Sequence, residues 1–301
     1  MLKAPFPYFG GKSKIGPLIW QRFGKLRHYI EPFAGSLAVY LSCPPDQRPQ
    51  VVTVNDMDGL ITNFWRAVKG YPEDVARHAV RPRSEIDMIA CHAEIQRRRE
   101  GLTLSLMRDP LYCDPELAGW WAWGMSTAVG NRWLEVMEDP EPFRAALPKL
   151  ETGGVHSDYP GGLQQWLQDL AAHLSEARVL CGDWSRAVTE GLLEYRNWDT
   201  GIFLDPPYKG EKRRKGIYSY DVAGDDLHAE ITKFCLDKGT DHKIAICGYE
   251  GDFDLPQTWE CLTWKAVGGY SHKGGQGEQN AGRERIWFSP ACAKPEIQTL
   301  F

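Results

Sequence analysis

The stretch His28-Tyr29-Ile30-Glu31-Pro32-Phe33-Ala34-Gly35-Ser36-Leu37-Ala38-Val39-Tyr40-Leu41-Ser42 constrains the fold more than any other. Residues 28–33 read as a short strand, Ala34-Gly35-Ser36 as a turn, and 37–42 as an apolar helix. Cys43-Pro44-Pro45 ends that helix, because proline has no amide hydrogen for the ladder. A strand entering a glycine turn and then a helix is how a nucleotide site begins. Only Gly35 is present, without the full G-x-G-x-x-G fingerprint, so an ordinary tight turn reads equally well from this stretch alone.

Moving outward, Val51-Val52-Thr53-Val54 is a β-branched run that reads as a second, buried parallel strand. It ends in Asn55-Asp56, about 20 residues beyond Gly35, the spacing at which a carboxylate accepts hydrogen bonds from ribose hydroxyls. A helix over 60–68 follows, with Leu60, Ile61, Phe64, Ala67 and Val68 on one face. Strand patterns return at 178–181, 201–204, 243–247, 261–267 and 285–288, with a helix over 225–238. Alternating strands and helices predict an α/β fold: a mostly parallel, Rossmann-like sheet with helices on both faces. Between 71 and 175 the β-branched runs vanish, and prolines, arginines and tryptophans rise. That region reads as a mainly helical insertion, with a helix over 84–100 capped by Ser84 and an amphipathic helix through Leu163, Trp166, Leu167, Leu170 and Leu174. The expected division is 1–70 with 176–301 as one domain and 71–175 as the inserted one. Trp120, Trp121 and Trp123 are expected in the insertion's core.

The chain has 301 residues, 43% hydrophobic and 25% charged, which excludes a disordered or fibrous protein. Eight cysteines without a C-x-x-C pair argue against a zinc knuckle and suit a reducing cytoplasm. The first residues show no basic segment followed by an apolar one, so no signal peptide is expected. The longest uncharged run, 117–131, falls short of the roughly 20 residues of a membrane span. A net charge of −5 argues against non-specific coating of nucleic acid but leaves room for a local basic cleft. Such a cleft is expected at Lys209, Lys212, Arg213, Arg214 and Lys215, whose five cations suit phosphates. Arg97-Arg98-Arg99, read as the end of a helix, is either a second DNA contact or a solvated helix end.

Those cations directly follow Asp205-Pro206-Pro207-Tyr208, at the end of Ile202-Phe203-Leu204. Ligands bind where parallel strands end. Two prolines remove two amide donors and leave carbonyl acceptors beside a carboxylate and an aromatic ring. Acceptors suit a donor-only exocyclic amine, and a ring suits stacking on a base. No His/Cys cluster offers a metal site, and none is needed.

Taken in order, Tyr8-Phe9-Gly10-Gly11-Lys12, Glu31-Pro32-Phe33-Ala34-Gly35, Asn55-Asp56 and Asp205-Pro206-Pro207-Tyr208 resemble the Dam-like, alpha-type DNA adenine-N6 methyltransferases. The resemblance spans 1–69 and 176–289 and implies methyl transfer from S-adenosylmethionine to N6 of a flipped-out adenine. It also implies cofactor contacts at Tyr8, Lys12, Glu31, Phe33, Gly35 and Asp56, with Asp58 the alternative for the ribose. Asp183-Trp184 resembles the family's acidic-aromatic pair at the cofactor adenine, and Asp205 also faces the cofactor. Asp205, Pro206, Pro207 and Tyr208 match the catalytic motif. Leu37 departs from a position that is often glycine. The 71–175 region matches no recognition segment, so the DNA site does not carry over. DNA is the expected partner and no membrane is. A monomer in the cytoplasm of a prokaryotic or phage-infected cell is expected, with a cognate restriction nuclease as a candidate partner. The readings to be separated from this one are a cytosine-N4, RNA or protein-glutamine methyltransferase, and a DNA-binding relic without activity.

Overall fold

The protein is described from a computed structural model over residues 2–8, 12–109, 111–128, 133, 148, 153–208, 224–264 and 283–294. A seven-stranded sheet forms its centre: β1 (His28–Glu31), β2 (Val51–Asp56), β3 (Ala177–Cys181), β4 (Thr200–Leu204), β5 (Lys243–Tyr249), β6 (Glu260–Thr263) and β7 (Glu284–Phe288). The spatial order is β3-β2-β1-β4-β5-β7-β6. Strands β1 to β5 pair in parallel, while β7 runs antiparallel to both β5 and β6. The order reverses between β1 and β4, and this switch point leaves a crevice beyond the carboxyl ends of the strands.

The pleat sorts the strands onto two cores, because neighbouring side chains point to opposite faces. Tyr29, Phe203, Ala245, Cys247, Ile286 and Phe288 face one buried cluster. Ile30, Ile202, Leu204, Ile244, Ile246 and Trp287 face the other. Helices α1 (Gly16–Phe23), α2 (Ala38–Leu41) and α3 (Gly59–Gly70) cover the first face. The second is covered by α9 (Gly224–Lys238), the short helix α8 (Glu190–Leu193) and the loops around Trp184 and Phe253.

Between α3 and β3 the described residues are helical: α4 (Pro72–Ala79), α5 (Glu85–Arg108), α6 (Pro115–Thr127) and α7 (Gly162–His173). Two starts follow ordinary capping chemistry. Ser84 Oγ accepts from the Asp87 amide at 3.4 Å, and Asp114 accepts from the Leu117 amide at 2.9 Å ahead of Pro115. These helices share the first core with the sheet. Trp121 and Trp123 are buried as expected, and Phe6 meets Trp121 at 4.8 Å and Phe64 at 5.0 Å. Trp120 is half-buried under the guanidinium groups of Arg81 and Arg98.

Three expectations change. Helix α5 continues to Arg108, so Arg97, Arg98 and Arg99 lie within it rather than at its end. Leu37 precedes α2 in the left-handed region, at φ 53° and ψ 28°. The strand expected over 261–267 spans Glu260–Thr263, and its last expected residues lie outside the described chain. Among the described residues no helix is long and apolar enough to cross a membrane.

Candidate active site

The carboxyl ends of β1, β2 and β4 each carry an acidic side chain: Glu31, Asp56 and Asp205. The turn after β1 is held by hydrogen bonds from its neighbours. Asp56 Oδ2 accepts from the Gly35 amide at 2.9 Å, and Trp65 Nε1 donates to the Gly35 carbonyl at 2.8 Å. Gly35 has φ 46°, and a β-carbon there would fall 2.6 Å from the Tyr8 ring. Both the positive φ and the close approach require glycine. Asn55 Nδ2 donates to the carbonyls of Pro32 and Gly182, tying the loops after β1 and β3 together at the end of β2.

Asp56 is buried, and its other oxygen accepts from the Asp58 amide at 2.9 Å. Burial pushes its carboxyl up to about 7, against the pull of the Asp58 and Gly35 amides. Asp58 has a different job. Its Oδ1 caps α3 by accepting from the Leu60 amide at 2.9 Å, and its Oδ2 pairs with Arg99 at 3.2 Å. Glu31 is buried too, accepts from Tyr29 Oη at 2.9 Å, and has its carboxyl pushed well up by burial, with the Asp205 and Asp56 charges adding to this.

Asp205 meets Lys12. The Nζ–Oδ1 distance is 2.8 Å, with side-chain exposures of 4% for the lysine and 22% for the carboxylate. The ammonium therefore holds Asp205 from the buried side. It also lies 5.2 Å from the ring centroid of Tyr208 and 5.5 Å from that of Trp264. Burial raises the Asp205 carboxyl and Lys12 opposes that rise. Burial pulls the Lys12 ammonium down, but the charge and hydrogen bond of Asp205 together with its other acidic neighbours outweigh it, and Lys12 stays protonated.

Four residues that the sequence reading missed, Tyr249, Cys247, Trp264 and Glu284, complete this wall. Tyr249 meets Tyr208 edge-on at 4.5 Å, and Arg283 lies over the Tyr249 ring at 5.2 Å. Cys247 and Glu284 lie near Lys12, the Cys247 thiol kept neutral by burial, and Trp264 covers the ammonium. Residues 247 and 249 share a face with 203 and 205 by the period of two, so the apolar run ending at Tyr249 held a usable signal. Glu284 had none. It reaches the carboxyl end of the sheet only because β7 is antiparallel, in register opposite Tyr249.

Phe33 and Trp184 come together with near-parallel rings, 6.3 Å between centroids and 19° between planes. Trp184 is buried in the second core, whereas Asp183 is half-buried and accepts from the Ser185 amide at 2.9 Å. Arg97 and Arg98 both pair with Glu94, and Arg98 also pairs with Asp114 and Glu116. Lys209, Lys212, Arg213, Arg214 and Lys215 lie outside the described residues, as do Phe9, Gly10 and Gly11.

In an open α/β sheet, a Gly35 turn, a carboxyl at the end of β2 and an Asp-Pro-Pro-Tyr loop after β4 meet at one switch point. Residues 8–86 match the D12 class N6 adenine-specific DNA methyltransferase family. This agrees with the resemblance carried by Tyr8, Lys12, Gly35 and Asp56, all inside the matched range. That family consists of adenine-specific DNA methyltransferases, and the match covers 8–86 of the 301 residues. Comparison with curated proteins gives no match.

Proposed function

We propose that the protein methylates N6 of an adenine flipped out of DNA, with S-adenosylmethionine as donor. The observation that carries this is Asp205, aimed by Lys12 and flanked by Tyr208 at the strand switch point. The cofactor fits the chain's own residues. A sulfonium and an ammonium are cations, and the Asp205 carboxylate with the carboxyl oxygens of Glu31 and Asp56 lines the strand ends. The Gly35 turn is a cradle that a β-carbon would fill. On this reading Phe33, Ala34, Gly35 and Asp56 hold the donor, with Asp183 and Trp184 at its base end.

S-adenosylmethionine supplies an electrophilic methyl group on sulfur and leaves as S-adenosylhomocysteine. The protein's part is positioning. An exocyclic amine is a weak nucleophile because its lone pair is shared with the ring. Asp205 and the Pro206 carbonyl accept its two hydrogens, turning the lone pair toward the methyl carbon. Pro206 and Pro207 keep that acceptor set rigid. Tyr208 stacks on the flipped base, and such stacking returns about 1–3 kcal/mol of the cost of unstacking it. The Asp205 carboxylate would stabilise the positive charge that the amine nitrogen gains on methylation, and the released proton would leave to water.

In this assignment 1–70 and 176–301 carry the chemistry, and 71–175 recognises the target. On this reading the cations at 209–215 meet phosphates, and Arg283 and Arg285 add to them. Arg285 already pairs with Glu250 at 2.7 Å. All eight cysteines are free, which suits the cytoplasm.

The test is transfer of labelled methyl from S-adenosylmethionine into DNA, with the product nucleoside identified. N6-methyladenine from the wild type, and its loss in Asp205→Ala with cofactor affinity nearly kept, are expected. N4-methylcytosine as product, or near-normal turnover in Asp205→Ala, would overturn the reading.

A further inference from the structure

We infer that Arg99, on the inserted helix α5, is a positioning residue for the cofactor loop, so that the insertion sets S-adenosylmethionine affinity together with the sheet. This rests on the reading that the Gly35 turn and Asp56 hold that cofactor.

The links are contiguous. Arg99 pairs with Asp58 at 3.2 Å, and both side chains are largely buried, at 12% and 6% exposure. The Asp58 amide donates to Asp56 Oδ1 at 2.9 Å. Asp56 Oδ2 accepts from the Gly35 amide at 2.9 Å. Thr103, one turn along α5, packs so closely on Gly59 that no β-carbon fits between them. Helix α5 therefore seats against the β2–α3 turn with a cation beside a buried carboxylate.

The Asp58 carboxyl is raised by burial, and Arg99 opposes that rise. Without Arg99 the carboxylate is a buried charge lacking its cation, and that state is unfavourable enough to force a proton or water onto it. Asp58 is two residues from Asp56 and shares a hydrogen bond with it. Relaxation there moves the carboxylate that clips Gly35. Arg97 and Arg98, by contrast, bind Glu94, Asp114 and Glu116, which stay within α5 and α6. Of three adjacent arginines, only Arg99 is paired to the turn beyond β2.

The experiment is calorimetric titration of S-adenosylmethionine into the full chain, with steady-state kinetics beside it. Arg99→Ala should raise the dissociation constant and the cofactor KM about tenfold, within the roughly 5- to 150-fold span of ordinary coupling. Turnover at saturating cofactor should stay within about twofold, because Arg99 touches no reacting atom. Adding Asp58→Asn should restore most of the affinity, since asparagine still caps α3 and leaves no buried charge. Should Arg99→Ala not fold, Arg99→Lys replaces it, with an affinity loss of about threefold expected from the poorer geometry. A folded Arg99→Ala, or in its place Arg99→Lys, with wild-type affinity overturns the inference, even if its melting temperature falls. So does a double variant as weak as Arg99→Ala. Absence of cofactor binding by the wild type would instead overturn the functional reading beneath it.

Discussion

Lowering the pH should weaken cofactor binding through one group, Asp56. Its carboxyl is buried and pushed up to about 7, because the fold removes water faster than the Gly35 and Asp58 amides replace it. On the proposed reading the ionised form accepts the ribose hydroxyls. With a carboxyl near 7, about nine-tenths is ionised at pH 8, half at pH 7 and about one-tenth at pH 6. Apparent affinity scales with the competent fraction, so it should fall about tenfold from pH 8 to pH 6. The sign follows from burial: a carboxyl harder to ionise is lost as a partner earlier on acidification. Stability moves the other way. A carboxyl raised in the folded state contributes most while protonated, and that contribution is lost as pH rises from about 4 through about 7. The assay is calorimetry at constant ionic strength, with Asp56→Asn measured alongside to subtract titration of the ligand itself. The ratio of wild-type to variant affinity should shrink about tenfold between pH 8 and pH 6. Parallel pH curves for the two proteins would refute the ribose role of Asp56.

Two further outcomes test how the site is held. Lys12→Met leaves Asp205 buried without its cation, so the acid limb of the turnover profile should move up by about 1–3 pH units, with partial return in Lys12→Arg. An unmoved limb would show that Lys12 does not act through Asp205. Leu37→Gly relieves about 1–2 kcal/mol of left-handed strain but deletes a fully buried side chain, a loss of about 2–5 kcal/mol. The lost packing wins, so calorimetry should show a less stable protein by about 1–3 kcal/mol. A more stable variant would mean that the strain exceeds the burial.

The elements that were legible in the sequence are those whose cause is local. The β-branched run at Val51–Asp56, the Gly35 turn, the Ser84 cap and the proline pair after β4 each report the backbone they need. The order of the acidic strand ends followed, because parallel strands joined by helices all point one way. The lengths of α5 and β6 were less legible, since Arg97-Arg98-Arg99 resembles a helix end until Glu94, Asp114 and Glu116 pair with it.

What tertiary structure alone decided is which groups meet. The antiparallel entry of β7 between β5 and β6 is a long-range pairing, and it carries Glu284 to the end of the sheet that holds Tyr249. The seating of α5 chose Asp58 for Arg99, and so left Asp56 to clip Gly35. The path of the N-terminal segment over the first core put Lys12 against Asp205. In each case a charge or a strand edge had several acceptable partners in the chain. Only the packing of helices onto the sheet excluded water around one of them.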